Sequence, residues 1–350
     1  MKIASAIQGN LISERATVIV DLEAGLRGGS VYMARLASWL ESCGASVSLR
    51  QLCLSRSRDL WGLVLLLFQN WTGQIVLRGT LPAFLPIALL SRSSMLYLGT
   101  PVDRWSRKSR LLFRLASLKP GLALVAASVY ARKTAFEGSF FRQGYVSYAK
   151  INLPLVLDLP RIDSFKSVAF AILSPGDQSK GFERCLSFLA KVSCCFNVFI
   201  DIYGKSSDEF NVSDYARYGN VFVHGFVEDP FGHFSRLRKG LPGCYLALSA
   251  YEGLHMAVVD AACYGIPSLL SDIPAHRELE LIAGLPLLIA GKSKSLMSSF
   301  LDVARSEGDF DGARAAALRL ALQFQDKALC SEALEDDFSP KGSASDRSRK

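Results

Sequence analysis

The hydrophobic positions of this chain form short continuous runs, and polar stretches with apolar residues at three- and four-residue intervals separate the runs. A short continuous apolar run is typical of a strand that is buried on both faces of a parallel sheet. Apolar residues at helical spacing indicate amphipathic helices that cover such a sheet. The regular alternation of the two patterns predicts an α/β protein with doubly wound parallel sheets.

The alternating pattern occurs twice. Predicted strands of the first series lie in "ATVIVDLE", "ASVSLRQL", "GQIVLRG", "SSMLYLGTP" and "GLALVAASV", and those of the second in "SVAFAILSPG", "FNVFIDIYG", "NVFVHGFV" and "CYLALSA". The intervening "INLPLVLDLP" contains two prolines and few helix signals, which predicts a linker. We therefore expect an N-terminal domain over residues 1–155 and a C-terminal domain over residues 156–335, whose last helices bridge back to the first. The polar, serine-rich residues 336–350 predict a disordered tail.

Composition narrows the protein class. Half of the residues are hydrophobic, which is typical of a globular protein. The 8 cysteines show neither Cys-x-x-Cys nor zinc spacing, so we expect reduced thiols, no metal site and a cytoplasmic location. The N-terminus has no long apolar region, which argues against a signal peptide. The longest apolar runs fall short of the roughly 20 residues that span a bilayer.

Charge is divided unevenly along the chain. Residues 1–150 carry 19 Lys and Arg against 7 Asp and Glu, whereas residues 151–350 carry 21 against 25. The segment from Arg104 to Lys119 has 6 basic residues and no acidic one. A helical wheel groups Trp105, Leu111, Leu112 and Leu115 on one side, opposite Arg107, Arg110 and Arg114.

This pattern predicts a basic amphipathic helix. Such a helix can lie on an anionic membrane surface, with contacts from Arg104, Arg107, Lys108, Arg110 and Arg114. The alternative is an ordinary domain helix that packs through its leucines and leaves its arginines in solvent. Nucleic acid is not expected as a partner, because no recognition motif or aromatic platform accompanies the charge.

The stretch "SAYEGLHMAVVDAACYGIPSLLSD" places Glu252 and Asp260 around an apolar, helix-forming segment. Because an unpaired charge is costly in such surroundings, each acid needs a partner. That partner is either a bound ligand or another group of the protein, with Glu252 capping a helix and Asp260 pairing with a surface lysine.

The element order, with Glu-x7-Asp in the second series, resembles the retaining GT-B glycosyltransferases of family 4. The stretch "YEGLHMAVVDAACYGIPSLLSDIPAHRELE" is similar to that family's Glu-Gly, second acid, Gly-x-Pro, Ser-Asp and closing Glu, here Glu278. The resemblance covers nearly the whole chain after about residue 15. It implies two Rossmann-like domains that face each other across a cleft. It also implies transfer of a hexose-like unit, with retention of configuration, from a nucleoside-diphosphate sugar to a glycan or lipid-linked acceptor.

The same resemblance implies roles for individual residues. Glu252 contacts the donor sugar, Asp260 the ribose hydroxyls, and Lys180 of "SKGFERCL" the diphosphate, where a cation stabilises the leaving group. The helix opening near Leu254 offers backbone N–H groups to the diphosphate. No cofactor, metal or covalent nucleophile is implied, and the enzyme is expected in the cytoplasm, peripheral to the membrane. The donor-binding residues implied are Gly225, Gly253, Leu254, His255, Met256, Asp260 and Glu278.

The chain departs from the family in two places. Pro175 stands where the family commonly has an arginine, and "GTPVD" follows a strand where many members have an acceptor-side histidine. Asp103 or Thr100 is the candidate replacement for that histidine, although the Pro-Val-Asp turn can simply cap the next helix. Lys180 can likewise be an ordinary exposed lysine in the first turn of a helix.

The loop "GLRGGS" looks like the family's phosphate and acceptor loop, with Gly28, Gly29 and Ser30. Its glycine spacing does not fit the dinucleotide fingerprint, and any tight turn can use glycines. Two alternatives to a transferase stay open: a non-catalytic subunit of the same fold, and a sugar-nucleotide epimerase.

Overall fold

The structure is a computed structural model that describes most of the second half of the chain and parts of the first. The residues described are 17–21, 33–38, 41, 46–51, 74–78, 93–120, 122–137, 139–141, 144–146, 148, 153–162, 165–173, 178–204, 212–284, 287–289, 295–304 and 306–326. They fall into two compact units, one on either side of residue 150.

The first unit is built on a parallel six-stranded sheet. The strand order is β2-β1-β3-β4-β5-β6, and every pair in it is parallel. Five of the strands coincide with the predicted runs, whereas β6 is three residues long and was not predicted. The strands are β1 (Thr17–Asp21), β2 (Val47–Gln51), β3 (Gln74–Arg78), β4 (Ser93–Leu98), β5 (Leu122–Ala126) and β6 (Gly144–Val146).

The second unit repeats this architecture. Its sheet has the order β12-β11-β10-β7-β8-β9 and is also parallel throughout. Its first strand therefore lies in the middle of the sheet, and the strand order reverses between β7 and β10. The strands are β7 (Ser167–Leu173), β8 (Asn197–Tyr203), β9 (Asn220–Gly225), β10 (Gly243–Ala247), β11 (Ser268–Leu270) and β12 (Leu288–Ile289).

Helices cover both sheets. In the first unit residues 33–38 are helical, as the pattern after "GLRGGS" predicts. A 3-10 turn lies at Val102–Arg104. No described helix is long and apolar enough to cross a membrane. The remaining helices are α1 (Arg107–Ala116), α2 (Val129–Glu137), α3 (Phe182–Val192), α4 (Pro230–Leu237), α5 (Met256–Cys263), α6 (Pro274–Ala283), α7 (Leu296–Val303) and α8 (Glu307–Asp326).

The core of the second unit explains why its helices dock where they do. The rings of Phe170 on β7, Phe188 on α3 and Phe300 on α7 pack with centroids 5.4 to 5.8 Å apart. Such aromatic pairs contribute about 0.5–1.5 kcal/mol beyond the area they bury. The long helix α8 packs on α5 and α6 of the same unit. Residues 327–350, where the predicted tail lies, are outside the described residues.

Helix α1 differs from the sequence prediction in the face that it buries. Phe113 and Ala116 are fully buried, whereas Leu111, Leu115 and Leu118 are 59%, 51% and 58% exposed. The predicted separation of leucines from arginines is therefore wrong, and so is the alternative in which the helix packs through its leucines. Because residues four apart share a helix face, Leu111 lies beside Arg107 and Leu115 on the solvent side, and Leu118 follows the end of the helix.

Candidate functional site

Two of the residues implied by the resemblance, Lys180 and Glu252, meet at the point where the strand order of the second sheet reverses. Lys180 follows the carboxyl end of β7, and Glu252 follows the carboxyl end of β10. These strands are neighbours in the sheet although 72 positions separate the two residues. Ligands of open α/β sheets bind in the crevice beyond this point, because the loops that leave neighbouring strands diverge there.

Glu252 and Lys180 form an ion pair. The ammonium of Lys180 donates to both carboxylate oxygens of Glu252, at 2.8 Å to Oε1 and 3.0 Å to Oε2. The hydroxyl of Ser249 donates to Oε1 at 2.7 Å. The acid side chain is only 11% exposed and the lysine 31%, so the pair is largely shielded from water. Glu252 does not cap α5, so that alternative is wrong, and its charged partner within the protein is Lys180.

Gly181 allows the lysine to reach the acid. It has a φ of 68°, in the left-handed region that glycine adopts without strain. A Cβ at this position would collide with the backbone oxygen of Leu248. The close approach lets the Ala250 N–H donate to the Ser179 carbonyl at 2.7 Å, which joins the two loops. The glycine after Lys180 is therefore required for the close approach of these two loops.

The helix that follows Glu252 opens without a side-chain cap. His255 is its N-cap residue and makes no capping hydrogen bond. Gly253, Leu254 and His255 are buried, and the N–H of Met256 donates to the Leu254 carbonyl at 2.9 Å. The start of α5 carries the partial positive charge of a helix N-terminus. The described geometry is thus compatible with the predicted diphosphate contact.

The second acid of the pattern lies further along this helix. Asp260 is half-buried in the middle of α5. Its charge and that of Glu252 both raise the pKa of the buried Tyr245 hydroxyl, after the larger effect of burial itself. Glu278, the closing acid of the pattern, is fully buried on α6. Both Glu252 and Asp260 therefore lie within electrostatic range of Tyr245, whereas Glu278 lies in the core.

Two buried histidines lie directly behind the ion pair. Nδ1 of His255 is 2.8 Å from Nε2 of His276, and the rings stack with centroids 5.1 Å apart. The Tyr245 hydroxyl is 3.0 Å from Nε2 of His255, and Nδ1 of His276 is 2.7 Å from the Ser271 carbonyl oxygen. Burial lowers the pKa of His276 to about 3, and burial followed by the charge of Lys180 lowers that of His255 well below its usual value. Both imidazoles are therefore neutral at physiological pH.

A second polar cluster lies at the ends of β8 and β9. Asp201 is completely buried and accepts hydrogen bonds from Arg238, at 2.7 and 2.9 Å, and pairs with Nε2 of His224 at 2.7 Å. The His224 ring stacks on Tyr203 at 4.9 Å. Gly225, which the resemblance implies as a donor contact, has a φ of 67° and accepts from Gly204 at 2.6 Å. The sequence offered no signal for Asp201 or Arg238, because a run of strand residues does not reveal which buried acid has a partner.

Asp103, the acceptor-side candidate, lies in the first unit. It belongs to the 3-10 turn after β4 and is exposed. The Tyr130 hydroxyl donates to its Oδ2 at 3.1 Å, and Nε of Arg104 is 3.7 Å from the same oxygen. Thr100 accepts from the Trp105 indole at 3.1 Å. Both candidates therefore lie at the carboxyl end of a strand, and each has a side-chain partner.

Several predicted features lie outside the described residues, namely Gly28, Gly29, Ser30 and Pro175. Within the part of the chain that is described, no cluster of three His, Cys, Asp or Glu side chains could hold a metal ion. The five described cysteines are free thiols.

Comparisons with known proteins place this geometry in a known fold. No protein-family model and no curated protein sequence matches the chain. Among solved structures, the Anabaena protein HepE in complex with UDP and glucose is 14% identical, with a TM-score of 0.63 over 89% of this chain and 97% of that chain. WaaG, a glycosyltransferase involved in lipopolysaccharide biosynthesis, is 11% identical, with a TM-score of 0.59 over 89% and 95%. A glycosyltransferase from Rickettsia africae is 11% identical, with a TM-score of 0.62 over 89% and 96%.

At these identities the likeness concerns the fold. The parallel sheets of both units agree with it. The chain therefore has the GT-B fold of two Rossmann-like units, as the sequence predicts.

Proposed function

We propose that this protein is a glycosyltransferase that moves a hexose-like unit from a nucleoside-diphosphate sugar to an acceptor with retention of configuration. The observation that supports it most is the Lys180–Glu252 pair at the strand-order reversal of a GT-B fold. A cation and an anion held side by side suit the two halves of such a donor. The lysine complements the diphosphate, and the carboxylate accepts from sugar hydroxyls.

In the proposed reaction the bond from the anomeric carbon to the diphosphate oxygen breaks. The acceptor oxygen forms its bond to that carbon on the same face, and its proton passes to a donor phosphate oxygen. Lys180 and the opening N–H groups of α5 stabilise the charge on the departing diphosphate. Asp260 accepts hydrogen bonds from the ribose hydroxyls. Asp103 contacts the attacking hydroxyl of the acceptor. The proposal includes no metal, cofactor or covalent enzyme intermediate.

UDP-glucose is the first donor to test, because HepE is described in complex with it. In calorimetry, the Asp260→Asn variant should bind UDP and UDP-glucose more weakly than the wild type does, because both ligands contain the ribose. Glu252→Gln should weaken the affinity for UDP-glucose and leave the affinity for UDP unchanged, because UDP lacks the sugar. One charge-assisted hydrogen bond corresponds to about ten- to a hundredfold in affinity.

The matched control is Glu183→Gln, which removes an exposed carboxylate from the first turn of α3. It should bind both ligands like the wild type. If Glu252→Gln and Asp260→Asn also do so while folded, the two acids are structural and the donor site is refuted. Hydrolysis of the donor by the purified protein would exclude the non-catalytic alternative. Isomerised nucleotide sugar without acceptor would instead identify an epimerase.

For the acceptor side we propose contact with an anionic membrane surface at the cytoplasmic face, where a lipid-linked or glycan acceptor would be met. Support comes from the exposed face of α1, where Leu111 and Leu115 alternate with arginines and no acid intervenes, and from the exposed Leu118 just after the helix. Phe140, half exposed, lies under the guanidinium of Arg114 at 4.9 Å. Leucines can enter the interface while each nearby arginine adds about 1 kcal/mol on anionic lipid.

Vesicle co-sedimentation tests this contact. The wild type should pellet with vesicles of phosphatidylglycerol at low salt, less at high salt, and little with phosphatidylcholine. Leu111→Ser combined with Leu115→Ser should reduce the pelleted fraction, whereas Lys133→Ser on α2, also exposed, should reduce it less. Equal recovery on both vesicle types would overturn the proposal.

A further inference from the structure

The histidine pair behind Glu252 has a defined hydrogen-bond direction. The carbonyl oxygen of Ser271 can only accept, so Nδ1 of His276, 2.7 Å away, carries the proton. In the neutral ring Nε2 is then an acceptor, and Nδ1 of His255 at 2.8 Å must donate to it. The neutral His255 ring in turn accepts at Nε2 from the Tyr245 hydroxyl at 3.0 Å. Three hydrogen bonds thus run in one direction, from Tyr245 to the backbone at Ser271.

The direction of these hydrogen bonds determines whether His255 can donate one to Glu252. Nδ1 of His255 lies 3.7 Å from Oε1 of Glu252, which is beyond hydrogen-bond distance. The Nδ1–H group already donates its hydrogen bond to His276. Oε1 accepts from Lys180 and Ser249, whereas Oε2 accepts from Lys180. A carboxylate has about four acceptor positions, so Oε2 keeps one for a ligand hydroxyl.

The same elements hold the loop that bears the acid. The hydroxyl of Ser271 donates to the Ser249 carbonyl at 2.6 Å, and Ser249 in turn donates to Glu252. The end of β11 and the start of α6 are therefore joined to the loop after β10 through side chains of both. His276 lies on α6, 24 positions after the acid, and contributes no atom to the ion pair itself.

We propose that His276 is a positioning residue for Glu252, acting through His255: by accepting a hydrogen bond from the Nδ1–H group of His255, it keeps that N–H group turned away from the carboxylate. Glu252 then faces a ligand with a lysine, and not an imidazolium, as its cationic neighbour. The effect on donor affinity rests on the proposed function, whereas the proton arrangement does not. The titratable and charged groups that face His255 are Lys180, Tyr245, Glu252 and His276.

Nuclear magnetic resonance of the full chain tests the proton arrangement without any ligand. The chain has only 4 histidines, so single substitutions assign each ring. Long-range proton–nitrogen spectra should show His255 and His276 with Nδ1 protonated and Nε2 unprotonated, unchanged between about pH 8 and pH 5. A protonated Nε2 on either ring, or a charged ring at neutral pH, would overturn the proposal.

Substitution of His276 tests the consequence. His276→Phe fills the space without an acceptor, so the His255 proton can turn to Glu252 and the ring should titrate at higher pH. Affinity for UDP-glucose should fall about tenfold, or about 1.4 kcal/mol, while UDP affinity is unchanged. His276→Gln keeps an acceptor near the position of Nε2 and should restore part of the loss.

Tyr264→Phe is the control for general destabilisation, because it breaks a hydrogen bond to Asp229 in the same unit. An equal loss of UDP and UDP-glucose affinity in His276→Phe, or no rescue by His276→Gln, would show a merely structural role and overturn the proposal. If the wild type binds no nucleotide sugar, the proposed function fails while the spectra still decide the proton arrangement. If His276→Phe does not fold, the spectra of the wild type and of the His276→Gln variant test the proposed arrangement of protons on the two rings.

Discussion

Removing Lys180 should destabilise the second unit more than removing its partner does. In Lys180→Met the carboxylate of Glu252, 11% exposed, keeps only the Ser249 hydrogen bond among its described contacts. In Glu252→Gln the amide oxygen can still accept from Ser249, and the lysine, 31% exposed, remains partly hydrated. A buried acid without its cation is the costlier state, because desolvation opposes the charged form.

The expected magnitude follows from the exposure of the pair. Exposed pairs contribute up to about 1 kcal/mol, and breaking a fully buried pair costs about 3–5 kcal/mol. With partial exposure, Lys180→Met should cost about 2 kcal/mol and Glu252→Gln about 1 kcal/mol. The double variant should cost less than the sum of the two, with a coupling free energy of about 1 kcal/mol.

Urea unfolding measures these free energies, and the positions of the tryptophans allow each transition to be assigned to one of the two units. All four tryptophans precede residue 150, so tryptophan fluorescence reports on the first unit, whereas far-ultraviolet circular dichroism reports on both. Lys180→Met should shift the dichroism transition, and Lys191→Met, an exposed lysine on α3, should not. A Lys180→Met variant as stable as the wild type, or strict additivity in the double variant, would refute the ion pair as described.

Three further predictions follow from the same unit. Gly181→Ala should lower stability by more than about 1 kcal/mol and weaken UDP binding in calorimetry, because a Cβ there collides with backbone and the residue has positive φ. His255 and His276 have lower pKa values folded than unfolded, so the unfolded chain binds more protons below about pH 6.5. The neutral rings therefore stabilise the fold fully above that pH. As the pH falls below about 6.5 towards the folded pKa of His276, about 3, His276 should remove about 1.4 kcal/mol of unfolding free energy per pH unit, and His255 should add a loss in the same direction. Urea unfolding at a series of pH values measures this slope, and His276→Phe should lessen it. Chelation with EDTA should leave donor binding unchanged, and a loss that added Mg²⁺ restores would contradict the metal-free proposal.

The sequence predicted most strands because a buried parallel strand has few alternatives to a continuous apolar run. It failed at β6, β11 and β12, whose two or three residues are too short to form a pattern. It also failed on α1, because a helical wheel shows which residues share a face but not which face the domain covers. There Phe113, packed against Trp105 at 5.5 Å, determines the buried side.

The candidate site shows the same limit. The resemblance brought Lys180 and Glu252 into one site, yet no local signal indicates that they bond to each other across 72 positions. The sequence did not predict the histidine pair either. His255 and His276 are 21 positions apart, and they meet only because α6 packs on the loop after β10. Periodicity reports on local structure and burial, whereas hydrogen bonds between distant loops depend on the assembled fold.

The strand order of the second sheet also has a consequence for how the protein acquires its site during synthesis. Strands β7, β8 and β9 pair in the order in which they leave the ribosome, so Lys180 can be in place early. Strand β10 must then return to the free edge of β7, and this long-range closure is slow because its loop entropy is lost before contacts form. Only that step brings Glu252 to the lysine. Under the proposed function, affinity for a nucleotide sugar would therefore report completed folding of this unit, and a nascent chain halted before residue 243 would have Lys180 without Glu252.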